Sequence, residues 1–182
     1  QMEAHQLSAF IVPSTDPHSS EYVAEHWETR KWISGFTGSA GTAVITLDDA
    51  GLWTDSRYFI QAEEQLKDTS IRLFKDRLPE TPSISEWLGN VLKEGEKVGI
   101  DGWVNSHHEA QSLQNELSKN GLSLITMTQD IFDNSWEDRP SLPKTPVFIL
   151  DETRTGASCT VKLNRIKESI AKNGSSAIIL SA

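Results

Sequence analysis

A single cysteine, Cys159, is all that the 182 residues contain. No disulfide can therefore close within the chain, and the pattern fits a reducing compartment. Long apolar runs are missing too. Nothing approaches the roughly 18 residues needed to span a bilayer, and the opening residues lack the basic-then-apolar pattern of a signal segment. Positive charge is scarce: 17 Lys and Arg face 26 Asp and Glu, for a net charge of −9. A face that tracks phosphates needs basic residues whose field is not cancelled by acids. The one basic concentration, Lys162, Arg165, Lys167 and Lys172, recurs at helical spacing around Glu168 and reads as a solvated helix face. Nucleic acid and membrane are thus argued against as partners. No pair of histidines forms H-x-x-x-H, and adjacent His107 and His108 would diverge by about 100° on a helix.

What is present describes one globular domain with an addition. Hydrophobic residues make up 37% and charged residues 24%, and a core of this size needs no covalent staples. "AFIV" (Ala9 to Val12) reads as a buried strand, and Tyr22 to Ile33 as a helix carrying Trp27 and Trp32. "GTAVITL" and "GLWTD" form a hairpin across a short Asp/Gly link. A helix with Phe59, Ala62 and Leu66 in phase follows, then the strand "SIRLF". Ser83 with Glu86, and Ser106 with Glu109, are capping boxes that open two helices. The strands "KVGID" and "LSLIT" follow those helices. Strands alternating with helices, starting from a hairpin, predict an α/β protein: an αβα sandwich on a mixed parallel and antiparallel sheet.

Three prolines within Glu137 to Pro146 mark a linker. The expected division is a first domain over 1–139, a Pro-rich linker over 140–146, and over 147–182 the start of a second α/β domain. In that last part "VFIL" (147–150) and "AIIL" (177–180) read as strands around a helix with Leu163, Ile166 and Ile170. About 35 residues cannot bury a core of their own, so this second unit is expected to be truncated at Ala182.

The chemistry-bearing candidates concentrate in "GFTGSAGTAVITLDDAGLWTDSRYF", Gly35 to Phe59. A phosphate cradle runs from a strand through glycines into a helix N-terminus. Here Gly35, Gly38 and Gly41 lead into a strand, with no Lys-Ser or Lys-Thr after them. Ser39 does not sit in G-x-S-x-G on a strand-to-helix turn, and no histidine has a claim to be its base. Glu21 and Glu25, near His18 and His26, read as a solvated acidic face. Asp55 and Asp101 at strand ends would suit a metal-dependent nuclease if they met; Asp55 paired with Arg57 is the simpler reading. From the residues alone, no catalytic, metal or cofactor site is visible. The glycines are taken as backbone relief, with Gly38 in particular expected at positive φ.

"FIVPSTDPHSSEY", "WISGFTGSAGTAVITLDDAGLWTDSRYFIQAEEQL" and "DRPSLP" resemble the N-terminal domain of three-domain, cytosolic-type Xaa-Pro aminopeptidases in the creatinase/prolidase superfamily. The tail from Gly156 resembles the opening of the second domain. The resemblance implies a creatinase N-terminal fold with a ribonuclease-H-like motif. It also implies a cytoplasmic, dimeric parent enzyme that hydrolyses the N-terminal Xaa-Pro bond of short proline-containing peptides. Two manganese ions, held by two Asp, one His and two Glu, lie in its C-terminal catalytic domain, and none of those ligands maps here. The first domain is then non-catalytic, supporting cleft access and dimerisation. Phe36, Trp53, Arg57 and Tyr58 are the candidates for a cleft edge or interface. The rival reading is a protein-binding module of a catalytically inactive creatinase-fold protein.

Overall fold

The structure, a computed structural model, describes residues 1–180; Ser181 and Ala182, the end of the expected second domain, lie outside the described residues. The chain divides into two compact units, Gln1–Pro143 and Lys144–Ala182.

The first unit is built on a six-stranded sheet. Its strands are β1 (Ala9–Pro13), β2 (Thr42–Thr46), β3 (Ala50–Thr54), β4 (Ile71–Lys75), β5 (Lys97–Asp101) and β6 (Ser123–Met127), in the order β4-β3-β2-β1-β5-β6. β1, β2 and β3 are antiparallel neighbours, whereas β4 joins β3, and β5 and β6 join β1, in parallel. The sheet is therefore mixed, as the hairpin followed by helical crossovers predicts.

β1 lies inside the sheet and is apolar throughout because both of its faces are covered. Successive side chains alternate between faces. Ala9 and Ile11 join Trp53, Trp87, Leu88, Val98 and Leu117 in one core, and Phe10 and Val12 join Phe36, Leu52, Ala62 and Leu66 in the other. The first core is roofed by α3 (Ile84–Val91) and α4 (His107–Ser118), the second by α1 (Thr29–Ser34) and α2 (Phe59–Gln65). Both capping boxes form, with Ser83 and Ser106 accepting from the backbone N–H of Glu86 and Glu109, whose carboxylates return to the cap amides.

One expected element is shorter than its pattern. Tyr22 to Ile33 does not make a continuous helix: Glu25–Trp27 forms a single 3-10 turn and α1 starts only at Thr29. The two tryptophans that gave the stretch its apolar bulk serve different partners. Trp27 packs edge-on against His26, while Trp32 stacks on Trp136 at 5.1 Å.

The second unit contains α5 (Glu152–Thr155) and α6 (Cys159–Lys172), the latter capped by Ser158. The strands expected at 147–150 and 177–180 are not in a ladder. Val147 is 99% and Ile179 95% exposed. A strand exists only by pairing, so apolar and β-branched character alone does not make one.

Candidate functional site

The Gly35–Phe59 block wraps one end of the sheet. Gly35 ends α1 in the left-handed region (φ 70), its N–H donating to Lys31 O, a conformation that favours glycine. Gly38 is different. Its φ is not positive, which corrects the expectation above. Glycine is required there because a Cβ would lie 2.3 Å from Phe36 Cζ and 2.8 Å from Tyr58 Cδ1.

The loop between these glycines is held by a residue with no evident sequence signal. Arg30 is 5% exposed. Its Nε donates to Ser14 Oγ at 2.7 Å, and its Nη1 and Nη2 donate to the carbonyls of Phe36 and Gly38. The guanidinium also lies over the Phe36 ring, 4.8 Å from its centroid. Burial pulls its pKa down to about 10, against the fields of Glu28 and Tyr58, which favour the charged form. Only a long side chain with donors splayed in a plane can bridge two carbonyls and a hydroxyl at once.

The four candidate edge residues separate into two kinds. Phe36 is fully buried, and Trp53 is buried with its ring stacked on Phe74 at 4.0 Å and its Nε1 donating to Pro82 O. Neither ring offers a surface, because both are consumed in the two cores. Arg57 is exposed and pairs with Asp55 through two side-chain bonds of 2.9 and 2.7 Å. Those bonds hold the Asp55 carboxyl down to about 2. Tyr58 is half-buried, and its hydroxyl shares a 2.6 Å hydrogen bond with Ser39. Ser39 therefore has a phenol beside it rather than a base.

The structure does not bring Asp55 and Asp101 together. They follow β3 and end β5, at the same end of the sheet but three strand spacings apart, which keeps their backbones at least about 14 Å from each other. Asp101 is half-buried; burial raises its pKa, partly offset by the bond it accepts from Trp103 N. Among the described residues no group of three or more His, Cys, Asp or Glu is placed to hold a metal ion. Asp55 is tied to Arg57, and His26 Nδ1 lies 2.7 Å from Pro140 O, so the side chains present do not fit a dinuclear centre.

A second clamp escaped the sequence as well. Arg139, whose side chain is 8% exposed, pairs with Asp130 at 2.5 Å and Asp133 at 2.9 Å. It also donates to His26 O and lies over the rings of Trp27 and Trp136. It fixes the segment after β6 onto the domain. Among the described residues no helix is long and apolar enough to cross a membrane.

Comparison with known proteins follows the same outline. Residues 1–132 match the family model of the creatinase/prolidase N-terminal domain. Aminopeptidase P2 of Arabidopsis thaliana is 42% identical over 177 residues, covering 96% of this chain and 25% of that protein. Human Xaa-Pro aminopeptidase 2 is 38% identical over 185 residues, covering the whole chain and 27% of that protein. Among solved structures, the X-prolyl aminopeptidase of Caenorhabditis elegans, a cytosolic enzyme with a di-nuclear active site, superposes with a TM-score of 0.81 at 34% identity. That match covers 92% of this chain and 27% of that one. The chain thus spans between a quarter and three tenths of the length of such relatives. With the mixed sheet, its two cores and the clamped glycine loop all in place, the chain belongs to the creatinase/prolidase N-terminal domain family.

Proposed function

We propose that this chain is the non-catalytic N-terminal part of a longer, cytoplasmic Xaa-Pro aminopeptidase that removes an N-terminal residue preceding proline. The observation that carries this reading is similarity running through nearly the whole chain to proteins three to four times longer that bear that name. Residues 1–139 are the first domain, 140–146 the linker, and 147–182 the opening of a second α/β domain. Its apolar segments Val147–Leu150 and Ile178–Leu180 are exposed as they stand and would be covered by further chain.

The metal belongs to the rest of the longer protein on this reading; Asp55, the carboxylate best placed at a strand end, is tied to Arg57 and lies far from Asp101. Two manganese ions bound there would supply a metal-activated water for hydrolysis. The part in hand contributes a rigid flank to the cleft and a surface for dimerisation, and Arg57 and Tyr58 are the edge residues still able to do so.

The test is hydrolysis of an Xaa-Pro peptide by the longer protein loaded with manganese, beside the 182-residue chain alone. Turnover by the former and none by the latter is expected. Chelator-sensitive turnover by the 182-residue chain would overturn the assignment. A longer protein that lacks the two Asp, one His and two Glu ligands and does not turn over would make the fold a protein-binding module instead.

A further inference from the structure

Two irregular loops, 14–23 and 35–39, enclose a cavity of about 190 Å³ whose wall includes Ser14, Tyr22, Trp27, Arg30, Lys31 and Ser39. Each loop is locked by a buried charge of opposite sign. Asp16, 6% exposed, accepts from the backbone N–H of His18 at 2.8 Å and Ser20 at 3.0 Å, and Ser19 between them sits at φ 52. A serine at positive φ is uncommon and costs energy, so the surroundings must hold it there. Arg30 locks the other loop through the bonds described above. The cavity walls are therefore fixed before anything enters.

Two acids and two bases line it, Glu21, Glu28, Arg30 and Lys31, but they are not paired alike. All three acceptors of Arg30 are neutral, and among the described residues no carboxylate lies within 4 Å of its guanidinium. A guanidinium has five N–H groups, and these three bonds leave donors to spare. Lys31 does not add a free cation, since Glu28 holds it at 2.7 Å. The cavity therefore contains one buried positive charge with no carboxylate in contact, in a protein that is acidic overall. At its mouth Tyr22 is 87% exposed, and the half-buried Trp27 lines the same cavity. Glu21 and Glu28 also line it; they disfavour a dianion such as phosphate but tolerate a single negative charge.

We infer that this cavity binds the C-terminal carboxylate of a short proline-containing peptide, with the carboxylate on Arg30 and the proline ring against Tyr22 and Trp27. A carboxylate can accept from the two guanidinium N–H groups that the loop leaves over, and proline-rich segments dock on aromatic walls because their backbone is already extended. The choice of peptide, rather than another carboxylate, rests on the aminopeptidase reading above. The pocket then takes the end of the peptide remote from the bond that is cut.

The experiment is titration of the 182-residue chain with Gly-Pro-Pro as the free acid and as the C-terminal amide, followed by calorimetry and backbone NMR. The acid is expected to bind with shifts at Ser14, Tyr22 and Gly38, and amidation to weaken it at least tenfold. Tyr22→Ala, at a position too exposed to affect folding, is expected to weaken it several-fold, and inorganic phosphate is expected not to compete. Equal binding of acid and amide, no binding of either, or shifts confined to another face would each overturn the inference. Those failures leave the aminopeptidase assignment standing, because it is tested separately by hydrolysis in the longer protein. Amidation-sensitive binding alongside an inactive longer protein would separate the two in the other direction.

Discussion

Gly38→Ala tests whether the glycine loop is set by packing or by backbone conformation. The new Cβ would sit 2.3 Å from Phe36 Cζ, 2.8 Å from Tyr58 Cδ1 and 2.9 Å from Phe36 Cε2, where carbon atoms prefer about 3.5 Å or more. The Phe36 ring has no open side: it is fully buried, edge-on to Tyr58 and beneath the Arg30 guanidinium. The backbone cannot withdraw freely either, because Arg30 holds the carbonyls of Phe36 and Gly38. Overpacking costs about 1–3 kcal/mol, and a loosened hydrogen bond to a charged donor adds about 1.5 kcal/mol. Reduced freedom of the unfolded chain returns about 0.5 kcal/mol. The net loss is about 3 kcal/mol, or roughly 6–12 °C in Tm for a protein of this size. Gly35→Ala is the control. It carries positive φ with nothing within 4 Å of its would-be Cβ, so it costs only the left-handed conformation, about 1 kcal/mol. Thermal and urea unfolding followed by circular dichroism would read both. Adding Phe36→Leu should reduce the cost of Gly38→Ala by about 1 kcal/mol or more, since the two positions touch. Melting of Gly38→Ala within 2 °C of the parent, or no deeper than that of Gly35→Ala, would refute the packing argument.

Asp101 and Asp55 should respond to pH in opposite senses. Burial raises Asp101, so its folded form holds a proton more readily than its unfolded form and its charge opposes folding at pH 7. Asp101→Asn keeps an acceptor for Trp103 N and should stabilise at pH 7, with the gain shrinking as pH falls toward 4 in urea unfolding. Asp55 is depressed to about 2 by Arg57, so its contribution is present above its unfolded pKa near 3.8 and disappears as pH falls through about 2. Arg57→Gln should move its carboxyl titration back up toward the ordinary range in carbon-detected NMR. Arg139→Met should cost about 3 kcal/mol in urea unfolding, because it strands the largely buried Asp130 carboxylate. Amides of 147–150 should exchange hydrogen far faster than those of Val44 and Leu52, which lie in the sheet interior.

The features legible in the sequence were those whose causes are local. Ser83 and Ser106 announce their helices because a cap and its reciprocal glutamate lie three residues apart. The hairpin of β2 and β3 is legible for the same reason, and the uniform apolar run of β1 already signals a strand covered on both faces. Where the partner is distant, the pattern misleads. Trp27 and Trp32 lent apolar bulk to an expected helix, yet Trp32 completes its stack only with Trp136, which the chain supplies after all six strands. Phe36 and Trp53 looked like edge residues because an aromatic ring beside a glycine loop reads the same whether it faces solvent or core.

The two arginines carry the deeper reason. Arg30 and Arg139 bond mainly to backbone carbonyls and to acids that meet them only after the chain folds. A sequence displays side chains, not the direction in which a carbonyl points, so a clamp whose acceptors are carbonyls leaves no motif. The same reasoning explains why the loop resembled an active site. Glycines, a serine and an arginine were all present, but the glycine at 38 makes room for a ring and the serine meets a phenol. The charge with no carboxylate in contact is Arg30, outside the quoted block altogether. Arg30→Gln cannot reproduce all three bonds, since glutamine is shorter and carries only two N–H donors on one nitrogen, so it should lower stability. Weaker peptide binding alone would then not separate a clamp from a clamp that also binds, but the ratio of acid to amide affinity does. In folded Arg30→Gln, Gly-Pro-Pro and its C-terminal amide should bind equally if the charge meets the carboxylate. A preference for the acid that survives the substitution assigns Arg30 to the loop alone.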